Sequence, residues 1–214
     1  MGATHSTHYS STHYPNFNVL DQADAWDPHT REIVLRRMEP PPPPRHLNAA
    51  EQRTMRAVLH HLLAESRPAL LDFVMAYIDE KVKPGEAIGE AQRPVGAPPQ
   101  RDLIIRGLAG LDAVAQRRHA ALFPDCTHEQ QFAIVAALQK GQLEAVPELD
   151  GVPQKALFKK ILGLAVQAFA SHPTVWSEMG YAGPAYPRGY YRIERGVADP
   201  WEAQRARDGQ SESG

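Results

Sequence analysis

At 214 residues, with 43% hydrophobic content, the chain is long enough to bury a core of its own. Its formal net charge of -2, with scattered lysines and arginines, removes the electrostatic case for nucleic acid, which needs a basic face to release counterions. The single cysteine, Cys126, excludes an internal disulfide and a thiolate zinc site, and no apolar run is long enough for a transmembrane helix.

Residues 1–16 read as a disordered His/Tyr-rich tail in which Ser-Thr-His-Tyr occurs at 6–9 and again at 11–14. His5, His8 and His13 could bind nickel or zinc adventitiously, but on a flexible tail they make a weak site. Gly2 and Ser6 match the loose myristoylation pattern, which is short enough to arise by chance. The first residues carry neither a basic start before an apolar core nor a twin-arginine pair. The chain as encoded is therefore expected in the cytoplasm, and in the periplasm only if a partner exports with it.

Helix signals begin at "DAWDPHTREIVLRRM". Asp27 is placed to cap and Pro28 to open a short helix over 28–38. Pro40 to Pro44 then run as a polyproline II spacer. "NAAEQRTMRAVLHHLLAE" starts with a capping box, Asn48 with Glu51, and sets Met55, Val58, Leu59, Leu62 and Leu63 on one helical face. After Pro68 a second helix, 69–82, carries Leu71, Val74, Met75 and Ile78. Residues 83–100 form a long Gly/Pro/Ala-rich loop of the kind that contacts a partner or a ligand, or is mobile.

The longest helix spans 101–122, with Leu103, Ile104, Leu108, Leu111, Val114 and Ala115 inward and Pro124 as its stop. Thr127 with Gln130 makes another capping box, and Gly141 suits the C-cap of that helix. A last helix, 153–170, holds Leu157, Phe158, Ile161, Leu162, Leu164, Ala165 and Phe169. The spacing predicts an all-α bundle of about five main helices. A single helical domain over 17–203 and a disordered tail over 204–214 complete the expectation.

Motifs for chemistry are missing. No glutamate is followed by histidine three residues later, so a di-metal carboxylate bundle is excluded, and no His-Glu-x-x-His run occurs. His61 and Glu65 stand at i, i+4 and read as a solvent-facing pair. Neither a Walker sequence, nor G-x-G-x-x-G, nor a Gly-x-Ser-x-Gly elbow is present. "GLAG" at 107–110 lies within a helix, where small residues let helices approach. Cys126 reads as a small thiol beside a helix start. No catalytic, cofactor-binding or metal-binding residue is expected.

One stretch stands apart: "SHPTVWSEMGYAGPAYPRGYYR", residues 171–192, holds four of the seven tyrosines and one of the three tryptophans. Three prolines fix φ and three glycines permit positive φ, so the stretch reads as a long irregular C-terminal segment, shaped but not helical. Folding back on its own helices would put Trp176 and Tyr181 into the core. Facing a protein partner would expose Tyr186, Arg188, Tyr190 and Tyr191, residue types enriched at interface hot spots. The two readings are compatible, and Trp176, Tyr181, Tyr186, Arg188, Tyr190, Tyr191 and Trp201 together form the candidate partner-binding set.

This stretch, followed by "DPWEA", resembles the C-terminal signature of the gluconate 2-dehydrogenase subunit 3 family. "FNVLDQADAWDPHTREIVLRRM" is similar to that family's opening segment and "LNAAEQRTMRAVLHHLLAE" to its first long helix. "IIRGLAGLDAVAQ" and "LFKKILGLAVQAFASHP" fit as well, so the likeness covers roughly 17 to 203. The resemblance implies a non-catalytic small subunit that carries no flavin or haem. Such a subunit binds a large FAD-dependent dehydrogenase of the glucose-methanol-choline type, and a cytochrome c subunit often completes the complex. Many members carry a twin-arginine leader, which this sequence does not show. The alternative reading is a stand-alone helical module, homo-oligomeric or binding a small apolar ligand.

Overall fold

Local capping chemistry explains most of the helix boundaries in the computed structural model, which describes residues 12–85, 98–187, 189 and 199–204. Contacts within the span expected as one helical domain gather around two centres. Residues of Met1–Glu39 and Ala170–Gly214 cluster as a terminal unit, and Pro40–Phe169 as a central unit.

In the terminal unit, Asn18 caps a 3-10 helix over Val19–Ala25, and Asp27 caps α1 (Pro28–Arg36). One Asp27 carboxylate oxygen accepts from the His29 and Thr30 amides, both at 3.1 Å, which satisfies two of the donors a helix start leaves open. A further helix of this unit, the last of the chain's series and named α7 below, covers Pro173–Met179. Val19, Trp26, Val34 and Trp176 make its buried cluster, with Phe17, Leu20 and Ala23 packed against it. Ser177 Oγ accepts from the Val19 amide at 3.0 Å and donates to the Pro173 carbonyl at 3.0 Å, tying α7 to the 3-10 helix.

The central unit holds α2 (Ala49–Leu63), α3 (Pro68–Lys81), α4 (Gln100–His119), α5 (His128–Lys140) and α6 (Gln154–Phe169). Short 3-10 turns occupy Phe123–Asp125 and Pro147–Leu149. Both capping boxes form as the sequence specifies, at Asn48/Glu51 and Thr127/Gln130, and Gly141 closes α5 in the left-handed region at φ 70°. α2 packs against α3, α4, α5 and α6, so its apolar face is the middle of this unit. Every inward residue expected on α4 is buried, as are Met55, Val58 and Leu59 of α2. Burying each such aliphatic side chain contributes about 1.5–3 kcal/mol.

Glycines 107 and 110 act as read. A Cβ on Gly107 would collide with the Leu157 side chain of α6, and one on Gly110 with Leu149, so α4 can approach both only because these positions are bare. Asp79 of α3 is buried and accepts from the backbone amides of Arg45, His46 and Leu47 at 2.7 to 3.2 Å. That one carboxylate anchors the chain where it leaves the proline run.

Three expectations need correction. Among the described residues there are seven α-helices, not about five, because α1 and α7 add to the five of the central unit. The segment from 171 is not one long irregular element. Pro173 sits in the first turn, where its missing N–H costs nothing, His172 Nδ1 accepts from the Thr174 amide, and Gly180 ends the helix at φ 73°. Finally, α4 stops at His119 rather than 122, because Ala120 takes the left-handed conformation at φ 56°. No glycine advertises that stop.

Candidate partner-docking surface

The terminal unit leaves much of its apolar surface uncovered. α1 places Val34 inward, yet its neighbours Ile33 and Leu35 are exposed, and so is Met38 just beyond the helix. Three consecutive apolar residues cannot share one face of a helix at 3.6 residues per turn, so two of them must point elsewhere. Met179 at the end of α7 is 57% exposed, Tyr181 is exposed, and Tyr186 is 72% exposed.

Trp176 underpins part of this surface. It is only 7% exposed, and its Nε1 donates to the Ala170 carbonyl at 2.6 Å. The Tyr181 ring meets it edge-on, centroids 5.3 Å apart at 85°, and the Arg37 guanidinium lies 5.5 Å from its centroid. Arg37 in turn donates to the Ser171 carbonyl at 2.9 Å. Trp176 thus fixes Tyr181 from beneath, while Tyr181 keeps one side in water.

A cleft of about 290 Å³ opens in the same unit, lined by Tyr14, Phe17, Leu20, Met38 and Pro173 among others. Two of its hydroxyls, those of Thr12 and Ser177, are committed within the chain. Thr12 donates to the Glu178 carbonyl at 2.6 Å, and Ser177 makes the two bonds given above.

Of the seven candidate partner-binding residues, Trp176, Tyr181 and Tyr186 stand on this unit, with Trp176 inside and the tyrosines outside. Trp201 is half-buried, in a short turn where the Glu202 amide donates to the Asp199 carbonyl at 3.0 Å. Arg188, Tyr190 and Tyr191 lie outside the described residues. Sequence reasoning missed Ile33, Leu35, Met38 and Met179, although the Ile-Val-Leu run in so short a helix was the signal.

Chemistry elsewhere stays structural. His61 and Glu65 are not a solvent-facing pair: Glu65 is 2% exposed and accepts from the Ser66 and Arg67 amides and the Arg67 guanidinium. Burial pushes the Glu65 carboxyl up, but the Arg67 hydrogen bonds outweigh it and hold the group below its ordinary range. The left-handed turn at Ala64, φ 49°, is what swings Glu65 inward, and i, i+4 spacing no longer applies past it. Burial, with Asp125 and Asp112 adding to it, pushes the Cys126 thiol up, away from the thiolate form a nucleophile needs. Among the described residues, no three His, Cys, Asp or Glu side chains are placed to hold a metal ion. None of the described helices is long and apolar enough to cross a membrane.

No curated protein and no solved structure matches the chain. The family described as gluconate 2-dehydrogenase subunit 3 does match, over residues 49–183. The matched span starts at α2, passes through α7 and ends at Gly183. It includes Trp176 and Tyr181 and leaves 17–48, Tyr186 and Trp201 outside. It covers well over half of the 214 residues, and the chain belongs to the gluconate 2-dehydrogenase subunit 3 family.

Proposed function

We propose that the chain is a non-catalytic accessory subunit that binds a large FAD-dependent dehydrogenase of the glucose-methanol-choline type and stabilises or matures it. The flavin in this reading belongs to the partner alone. Family membership supports the subunit role. The observation that carries the docking surface is the apolar exposure of the terminal unit at Ile33, Leu35, Met38, Met179, Tyr181 and Tyr186. Apolar patches of this kind on a small protein mark interaction sites, and removing them from water is worth about 25 cal/mol per Å².

Tyr181 and Tyr186 are the contacts proposed on this surface, with Arg188, Tyr190, Tyr191 and Trp201 extending it. Trp176 serves from below by holding Tyr181 in place. Tyrosine suits the role because it brings a large, stiff ring into an interface at little cost in side-chain entropy. Mild purification of the tagged chain from its native host tests the reading. A yellow eluate with flavin absorbance and one large stoichiometric polypeptide is expected. A colourless, homogeneous protein would overturn it in favour of a stand-alone helical module.

A further inference from the structure

Three imidazoles that the docking surface does not use meet within the central unit. His60 and His61 sit in the last turn of α2, and His128 is the first residue of α5. Their ring centroids are 5.4 Å apart for His60 and His61, 5.6 Å for His60 and His128, and 4.5 Å for His61 and His128. Phe132, one turn along α5, lies 6.4 Å from the His61 ring.

Hydrogen bonding fixes which nitrogens carry the protons. His60 Nδ1 is 2.7 Å from the Glu65 carbonyl oxygen, which can only accept, so Nδ1 donates. The Gln131 amide nitrogen donates to the carbonyls of Phe123, Pro124 and Cys126 at 3.0 to 3.2 Å, which turns its oxygen toward His61. His61 Nε2 donates to that oxygen at 2.8 Å. Both rings complete these bonds while neutral. A further proton would go to His60 Nε2 or His61 Nδ1, on rings whose centroids lie within 5.6 Å of the other two.

The surrounding carboxylates are already engaged. Glu65 is turned to Arg67, Asp125 of the 3-10 turn pairs with Arg53 at 2.6 Å, and Asp72 of α3 pairs with Arg56. From α4, Asp112 accepts from the Thr54 hydroxyl and the Phe123 amide. Glu129, next to His128, is exposed, and the charged residues of α6 are all lysines: Lys155, Lys159 and Lys160. Arg53 and Arg56 of α2 line a groove with His60, but each is paired, with Asp125 and Asp72, so these ion pairs leave little net charge of either sign beside the rings.

Helix polarity makes the trio asymmetric. Histidine cations at the end of α2 meet the negative pole of that helix, whereas a cation on His128 meets the positive pole of α5. We propose that His60, His61 and His128 form an acid-sensitive latch between α2 and α5, shut while His61 is neutral and released from the α5 side when His61 takes a proton. Burial holds His61 below the ordinary histidine range, its Gln131 bond partly offsets this, and His128 and His60 push it lower again. A group depressed in this way takes its proton first in the unfolded chain. Its stability contribution is complete above the ordinary value near 6.5 and is lost as pH falls toward the folded value.

The test compares the full chain with a His61→Gln/His128→Gln variant by thermal melting at neutral pH and at about pH 5. The wild type should lose about 4 °C more in Tm than the variant across that range. In parallel, amide exchange in the first turn of α5 should speed by about tenfold more in the wild type than global opening accounts for. Equal losses of Tm, or exchange no faster in that turn than elsewhere, would overturn the latch. If the double variant does not fold, the wild-type histidine resonances decide. A His61 curve displaced below the ordinary histidine midpoint is expected, and a His61 curve at that midpoint would overturn the latch.

Discussion

The two units solve the burial problem differently. In the central unit the apolar faces of α2 through α6 point at one another, and its core runs from Leu47 to Ala168. Among its described residues the terminal unit buries Val19, Trp26, Val34, Val175 and Trp176, and leaves six large apolar side chains exposed, from Ile33 to Tyr186. Among the described residues of the central unit, only Leu122, Phe132 and Val166 are comparably exposed. A segment that exposes about as many large apolar side chains as it buries is poorly explained by its own stability and well explained by a partner. The central unit, by contrast, explains itself.

Mutations can break this comparison, and the largest effects belong to the central core. Phe123 is fully buried, so Phe123→Ala should cost about 3–5 kcal/mol by denaturant titration. Gly107→Val should overpack α4 against Leu157 and cost about 1–3 kcal/mol, despite the better helix propensity of the new residue. Asp79→Asn keeps the shape but weakens the acceptor for three backbone amides, and a loss of about 1–3 kcal/mol is expected from the same titration. Thr127→Ala removes one half of the α5 capping box and should cost about 1 kcal/mol.

Tyr186→Ala stands at the other end of the scale. Its ring is exposed, so stability should change by no more than about 0.5 kcal/mol. Co-purification of the proposed flavoprotein partner should nonetheless fall. A stability loss as large as that of a core mutation would place Tyr186 with the packing residues and erase the contrast between the units.

Much of the central unit was legible in sequence because its signals are local. Asn48 with Glu51, Thr127 with Gln130, and Gly141 fix helix ends through neighbours three or four residues away, and the apolar periodicity of α4 names its buried face. The failures share a cause. Ala64 and Ala120 adopt left-handed conformations that alanine does not announce, so the end of α4 was misplaced and Glu65 was left in solvent where it is in fact buried. In the 171–192 stretch, proline and glycine were read as barring helix, yet Pro173 and Gly180 sit at the two ends of α7, where each is favoured. The exposed part of the candidate surface was half legible: the tyrosines drew attention by type, whereas Ile33, Leu35, Met38 and Met179 look like ordinary core residues until their directions are known.

Hydrogen exchange of the chain, alone and with the flavoprotein partner proposed above, tests the docking claim most directly. The account predicts slowed exchange over 28–38 and 176–187 on binding, with α2 and α6 unchanged. Protection confined to α2 through α6, with the terminal unit exchanging as freely as before, would contradict it.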